Sequence, residues 1–154
     1  MATKNNKKIL AGLQTIVTAL SRQADGHAIQ SRVFASEGFT RLSEKYAEHA
    51  AEERGYVDKC IDRILDLGGE VRLEAGQAGK VIKDPVEWVK YDYQVSRDGL
   101  AWLAALVEES RSDFATYDML KDYYKDEEED MYWGETQLDL IAMIGKQNWL
   151  VQQL

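Results

Sequence analysis

The chain has little of three things that mark other classes of protein: cysteine, proline and long apolar runs. Its single cysteine, Cys60, excludes an intrachain disulfide framework and every cysteine-rich metal site, and it fits a reducing compartment. No run of eighteen apolar residues occurs, so we expect no membrane-spanning helix. With 154 residues, one proline and 45% hydrophobic content, the chain suits a single domain over residues 1–154 with a buried core.

Basic residues are also scarce. Lysine and arginine number 19 against 27 aspartates and glutamates, which gives a net charge of −8. Binding to nucleic acid or to an anionic membrane needs clustered basic side chains, so neither is an expected partner. The N-terminal Met-Ala-Thr-Lys-Asn-Asn-Lys-Lys leads into no apolar segment of signal-peptide length, so a cytoplasmic location is the expectation. An acidic surface of this kind attracts cations instead.

What the chain does have is helical periodicity. Apolar residues recur at spacings of three and four, whereas the alternation typical of strands is nearly absent, so the sequence predicts an all-α protein. Glycines mark the ends of the first two helices, and Asp84-Pro85 provides an N-cap followed by proline at the first helical position of the third. The predicted helices cover about residues 7–35, 40–67, 85–110 and 113–144, with a short amphipathic segment over 147–154.

One connection is long. Residues 70–83 contain Gly76 and Gly79 and show no helical period, whereas the other connections between the four long helices are tight. Two tight hairpins on either side of one long connection are typical of a four-helix bundle with a single crossover.

Two carboxylates fall inside the predicted apolar seams, Glu53 on the second helix and Glu127 on the fourth. Both lie near the middle of their helices, as do Leu20 and Ser96, so antiparallel packing would bring them into one layer. No lysine or arginine lies on the seams, and an unpaired buried charge is costly. The pair must therefore share a proton, hydrogen-bond to groups such as Tyr56, or hold a cation.

Two interpretations of this layer stay open on the residues alone. One is a protonated, hydrogen-bonded polar layer that fixes the register of the bundle. The other is a metal site, to which Asp130, one turn after Glu127 on the same helix face, would add a third carboxylate.

Several segments of the chain closely resemble bacterioferritin, and the resemblance covers nearly the whole sequence. The clearest segment is the last twenty residues, from Glu135-Thr-Gln-Leu-Asp to Val-Gln-Gln-Leu154. The others are Glu37-Gly-Phe-Thr-Arg-Leu42, Asp62-Arg-Ile-Leu-Asp-Leu-Gly-Gly69, Arg97-Asp-Gly99, Asp126-Glu-Glu128 and Trp133-Gly-Glu-Thr136. The resemblance implies a ferritin-like four-helix bundle with one long crossover and a short C-terminal fifth helix.

Bacterioferritins carry a two-iron ferroxidase centre with two bridging glutamates, two terminal glutamates and two histidines. Carried over residue by residue, the bridging glutamates fall on Glu53 and Glu127, and the histidines fall on Tyr56 and Asp130. The terminal glutamates fall on Leu20 and Ser96. Three ligands are therefore absent and one is replaced by an aspartate. The resemblance implies a weak or altered iron site on Glu53, Glu127 and Asp130, and leaves enzymatic ferroxidase activity open.

Other family positions have changed as well. The family binds haem through a methionine where this chain has Arg54, so haem is not expected. His27 stands where the family has a tyrosine, and we expect it to be a buried, hydrogen-bonded histidine. Glu48 and Glu52, with His49 between them, fall where the family places cavity-facing iron ligands.

The resemblance implies a function in iron storage. The short helix after Gly145 lines a four-fold channel in bacterioferritins, so we expect a homo-oligomeric, 24-subunit shell that takes up iron and holds ferric mineral, with an impaired or altered ferroxidase site. The alternative is a non-catalytic structural subunit that co-assembles with an active bacterioferritin chain. A single-metal or metal-free cage with another cargo is a third possibility.

Overall fold

The computed structural model describes residues 4–154, with side chains from residue 6, and this part of the chain folds into five helices without strands. The predicted order of helices is confirmed, with boundaries that move by a few residues. The helices are α1 (Lys4–Ser36), α2 (Thr40–Asp66), α3 (Pro85–Glu109), α4 (Phe114–Ile144) and α5 (Lys146–Val151). The first three residues of the N-terminal segment discussed above lie outside the described residues.

The predicted helix ends are confirmed by the backbone. Gly38 and Gly68 have φ angles of 86° and 75°, in the left-handed region where glycine is favoured. At the start of α3, the Asp84 side chain accepts hydrogen bonds from the backbone N–H groups of Val86, at 2.9 Å, and Glu87, at 3.1 Å. Asp113 caps α4 in the same way.

Two glutamine side chains of α1 hold the long crossover. Gln14 donates to the carbonyl of Arg72 and accepts from its N–H, both at 2.9 Å, and Gln30 makes the same pair of contacts with Ile82. Both glutamines are buried. These bonds satisfy backbone groups that a segment without secondary structure would otherwise leave unpaired.

The long helices pack as two hairpins, α1 with α2 and α3 with α4, and the hairpins meet along α1–α3 and α2–α4. Gly12 allows a close approach of α1 to α3, because an added Cβ would lie 2.4 Å from a methyl carbon of Leu106. Helix α5 lies at the end of the bundle where α2 begins. Its Trp149 is fully buried, and the backbone N–H of Arg41 donates to the carbonyl of Gln153 at 3.0 Å.

The apolar core consists of two clusters with a polar layer between them. One cluster lies towards the N-terminal half of α1 and includes Leu13 and Leu120, and the other includes Phe34 and Trp149. Along each long helix, the polar residues fall between the positions that belong to the two clusters. The polar layer contains His27, His49, Glu53, Asp92, Glu127 and Asp130.

The apolar spacing of three and four also predicts Ala50 of α2 and Tyr124 of α4 as inward positions, and both predictions are wrong. Ala50 is only partly buried, and His49 beside it is buried instead. Tyr124 is likewise partly buried, and Tyr123 is buried instead. A straight helix has 3.6 residues per turn, so a strict alternation of three and four drifts off the buried face over a helix of this length. Within the part of the chain that the structure describes, no helix is long and apolar enough to cross a membrane.

Candidate metal site

Glu53 lies in the middle of α2 and is 2% exposed. Its Oε1 contacts Nδ1 of His27 on α1, whereas its Oε2 has no hydrogen-bond partner among the described residues. The sequence left three ways to stabilise this carboxylate, and the structure adds a fourth, a histidine from the neighbouring helix. The unpaired oxygen is the feature that a metal ligand would have, since a buried acceptor without a partner is costly.

His27 lies between two carboxylates. Its Nε2 is 2.7 Å from Oδ1 of Asp92 on α3, so both ring nitrogens face carboxylate oxygens. A neutral imidazole carries one N–H and can donate to only one of the two carboxylates. For both contacts to be hydrogen bonds, one further proton must lie on His27, Glu53 or Asp92. Burial alone would lower the pKa of His27, but Asp92 and Glu53 raise it well above its usual value. The expectation of a buried, hydrogen-bonded histidine is confirmed.

Glu127, on α4, is 7% exposed and lies on the same layer as Glu53. Burial raises its pKa well above the usual value, and the nearby carboxylates of Glu53 and Asp130 raise it further. Both carboxyl groups therefore lie in the buried layer, where burial and the neighbouring carboxylates disfavour the ionised form of Glu127.

A cavity of about 280 Å³ lies between α1 and α3 and reaches Glu127. Most of its lining is apolar and includes Leu20 and Leu103. The side chain of Gln23 also lines it. Leu20, where the family has a terminal glutamate, is 3% exposed and belongs to the apolar core. Ser96, at the other such position, is partly buried. Leu20 is therefore adjacent to open space.

Asp130 also faces a second group of carboxylates. It offers an oxygen to a cluster with Glu52 and Asp126 in which the three ligand oxygens all lie within 4.8 Å of one another. Burial raises the pKa of Asp130 to about 7, with further effects of Asp126 and Glu52. Asp130 also acts electrostatically on Glu127. It therefore lies between the buried pair and the gap between α2 and α4.

His49 is the second histidine of the layer and is 3% exposed. Its Nε2 lies 3.4 Å from Oδ1 of Asp130 and has no hydrogen-bond partner among the described residues. Burial lowers the pKa of His49 to about 4, and the positive charges of His27 and Lys45 lower it further. The ring is neutral at pH 7, so one of its nitrogens keeps a lone pair.

Tyr56 does not take the role of hydrogen-bond partner for Glu53. Its ring packs against Tyr123, with centroids 4.9 Å apart, and burial raises its pKa to about 12. Sequence reasoning also missed Asp92, which packs into the layer from α3. A signal was present, since Asp92 is three residues after the buried Val89 and four before Ser96, on the inward face of α3.

The arrangement joins oxygen donors from α2 and α4 in a partly enclosed space. Glu53 offers an oxygen without a hydrogen-bond partner among the described residues, Glu127 lies in the same buried layer, and Asp130 lies one turn further along α4. Carboxylates are ligands of hard divalent cations and of ferrous iron. A cation at Glu53 and Glu127 would allow both to ionise, because it would replace the proton that burial otherwise favours.

Comparison with known proteins gives one consistent family. The ferritin-like domain family matches residues 11–144. A protein named bacterial ferritin from Pseudomonas aeruginosa is 33% identical over 98% of this chain and 99% of its own length. A bacterial ferritin from Neisseria meningitidis serogroup B is 31% identical with the same coverage, and a bacterioferritin from Brucella melitensis is 30% identical over 73% of this chain and 71% of its own.

Proposed function

Since the chain belongs to the ferritin family and is of the bacterioferritin type, we propose that it is a subunit of a hollow shell that takes up ferrous iron and holds it as ferric mineral. The observation that carries the proposal is a family match over nearly the whole chain, which is joined by two buried carboxyl groups on α2 and α4, Glu53 and Glu127. Iron is the cargo of such a shell.

Glu53, Glu127 and Asp130 are the residues that we assign to iron. The free Oε2 of Glu53 and the carboxyl of Glu127 would be the first two ligands, and Asp130 would be the third. The cavity beside Leu20 would leave room next to a cation at Glu127. Glu48, which is exposed, and Glu52, which is partly buried, would offer further carboxylates on the face that the family turns towards its mineral.

The proposed oxidation is slow and altered relative to a complete two-iron centre. Two of the six family ligand positions keep their glutamate and a third has an aspartate in place of a histidine, and one oxygen of Glu53 already contacts His27. A ferrous ion would have to compete with the extra proton of the His27 group for that carboxylate. Each ferrous ion gives one electron to dioxygen, and the ferric product passes to the mineral.

We propose that the chain assembles into a 24-subunit shell. The presence of α5 supports this proposal, because the corresponding helix lines the four-fold channel in bacterioferritins. The helix is anchored by Trp149, whose Nε1 donates to Oε1 of Gln137 at 3.0 Å, and by an ion pair between Lys146 and Asp84. We expect no haem, because Arg54 replaces the family's methionine. Arg54 forms an exposed ion pair with Asp25 instead, at 2.9 Å.

Aerobic loading tests storage directly. Purified, metal-free assemblies would receive ferrous iron in increments, and sedimentation with iron analysis would follow the iron that travels with the protein. The proposal expects an iron core that grows with each addition, visible by electron microscopy inside the shell. Assemblies that emerge without a core, with iron only in free precipitate, would refute it.

A second function is favoured by the His27 group. His27 contacts Glu53 and Asp92 and so joins three helices. Much of the polar layer is therefore hydrogen-bonded without a metal. The chain would then be a structural subunit that co-assembles with an active bacterioferritin chain. Native mass spectrometry of shells from the source cells decides between the two: mixed shells support the structural role, and shells of this chain alone count against it.

A further inference from the structure

The gap between α2 and α4 contains four potential metal ligands that the family resemblance does not assign as one site. Glu52, Asp126 and Asp130 contribute carboxylate oxygens within 4.8 Å of one another, and all three are partly buried. Six ligands around an ion at about 2.1 Å lie about 3 to 4.2 Å apart, so these oxygens need only small movements to share a cation.

Acidic clusters without a metal are common, so the decisive observation is His49. It is 3% exposed, its Nε2 is unpaired among the described residues, and that nitrogen lies 3.4 Å from Oδ1 of Asp130. Leaving a buried polar atom without a partner is costly, and native proteins rarely do so without a reason. A metal ion held by the three carboxylates would give this nitrogen its partner.

Aromatic neighbours fix the direction of the His49 ring. Its centroid lies 5.3 Å from that of Tyr46 and 5.9 Å from that of Trp133, both with edge-on geometry. The ring cannot turn to solvent without disturbing these contacts. Such packing is how proteins hold a metal ligand in its working orientation.

The charge of the cluster also favours a cation. Three carboxylates whose oxygens lie within 4.8 Å of one another repel when all are ionised, and a cation between them removes that repulsion. Lys45 is the cation that acts on the cluster, and its Nζ lies over the ring of Trp133, 5.3 Å from the centroid. The three carboxylates form no ion pair with a lysine or arginine in the described chain.

We propose that Glu52, Asp126, Asp130 and the Nε2 atom of His49 form a mononuclear site for a first-row divalent transition metal. A mixed set of imidazole and carboxylates suits zinc, ferrous iron or copper better than calcium or magnesium, which take oxygen ligands almost exclusively. The site shares Asp130 with the buried iron residues proposed above and Glu52 with the mineral-facing carboxylates, and it differs from both sets in its ligands Asp126 and His49. It does not depend on iron storage.

Cupric ion is the probe for the first test, because pulsed EPR detects the nitrogen of a coordinated imidazole. The chain contains only two histidines, so His49→Gln and His27→Gln form a matched pair. Metal-free assemblies would receive less than one cupric ion per chain. We expect imidazole modulation in the wild type and in His27→Gln, and its loss in His49→Gln. No modulation in the wild type, or modulation that survives His49→Gln, would overturn the proposal.

Zinc affinity supplies a second test that does not change the buried histidine. Asp126 is partly exposed, so Asp126→Asn is expected to fold, and it should weaken zinc binding about tenfold or more in calorimetric titration. The exposed Glu129→Gln, on the same helix, should leave the affinity within about twofold. Equal affinities for the wild type and Asp126→Asn would overturn the site. Because neither iron nor oxygen is present, failure here is distinct from failure of iron storage.

Discussion

His27 and Asp92 join the first and third helices through the core, with Nε2 of the imidazole 2.7 Å from Oδ1 of the carboxylate. The same ring contacts Glu53 on the second helix. One histidine thus links three helices at the level where the two apolar clusters of the core are separated. Because this layer lies between the clusters, we expect it to fix the register of the bundle as well as to form the candidate site.

Loss of the Asp92 carboxylate should destabilise the fold. Asp92→Ala removes a hydrogen bond to a charged ring and leaves His27 with one partner, which should cost about 2 to 3 kcal/mol of the free energy of unfolding. Asp98→Ala is the control on the same helix, because Asp98 is exposed and accepts only from Gln94; it should cost less than about 0.5 kcal/mol. Urea unfolding of metal-free protein measures both. Similar midpoints for the two variants would mean that the His27–Asp92 contact contributes little.

The stability of the metal-free protein should fall as the pH rises above 6.5. The pKa of His27 is raised well above its unfolded value of about 6.5 by Asp92 and Glu53 despite burial. Above pH 6.5 the folded state therefore keeps a proton that the unfolded chain has released. The stabilisation is complete below 6.5 and is lost as the pH passes through the folded pKa.

Urea midpoints measured from pH 6 to pH 9 check this dependence. The double variant His27→Gln/Glu53→Gln removes both titrating partners while keeping similar shapes, so its midpoints should change less with pH than those of the wild type. A wild-type midpoint that stays constant or rises over this range would contradict the assigned protonation.

Trp149 should hold α5 against the bundle. Trp149→Ala removes a fully buried side chain, which should weaken the packing of α5 against the bundle by about 3 to 5 kcal/mol. We therefore expect α5 to detach and the yield of large assemblies in size-exclusion chromatography to drop. Trp149→Phe keeps most of the packing and loses only the hydrogen bond to Gln137, about 1 kcal/mol, and should still assemble. Normal assembly of Trp149→Ala would mean that shell formation does not depend on the packing of α5.

A carboxylate returned to position 20 should increase iron oxidation. Leu20 lines the cavity that reaches Glu127, so Leu20→Glu would place a third carboxylate beside the buried pair. Leu20→Gln has the same shape without the charge and is the control. Both variants should unfold at lower temperature in the presence of a chelator, because each buries a polar group in an apolar site. Only Leu20→Glu should oxidise ferrous iron faster, and equal rates for the two variants would contradict the assigned site.

The fold could be predicted closely from the sequence because its signals are local. Glycines at the helix ends, the cap at Asp84-Pro85 and a strong helical period place the helices, and the tight and long connections determine the bundle topology. The inward positions of Glu53 and Glu127 follow from the same periodicity. These features need no knowledge of contacts between distant residues.

The composition of the polar layer could be predicted only in part. That Glu53 and Glu127 share a layer follows from periodicity, but the pairing of His27 with Asp92 depends on the rotation and axial position of α1 relative to α3, which no local pattern determines. Likewise, Asp130 lies with Glu52 and Asp126, because a side chain one turn along α4 faces the gap towards α2 as well as the core. Differences of a few ångströms in helix placement decide which carboxylates meet.

The most direct measurement adds two ferrous ions per subunit to metal-free assemblies and follows oxygen-dependent oxidation by stopped-flow absorbance, for the wild type and for Glu127→Ala. Glu127 belongs only to the proposed iron site and not to the cluster around His49. We expect measurable oxidation in the wild type, with a rate well above that of free ferrous iron, and a clear loss in Glu127→Ala. A rate that is unchanged by the substitution would mean that the buried pair is structural and that iron is handled elsewhere on the protein.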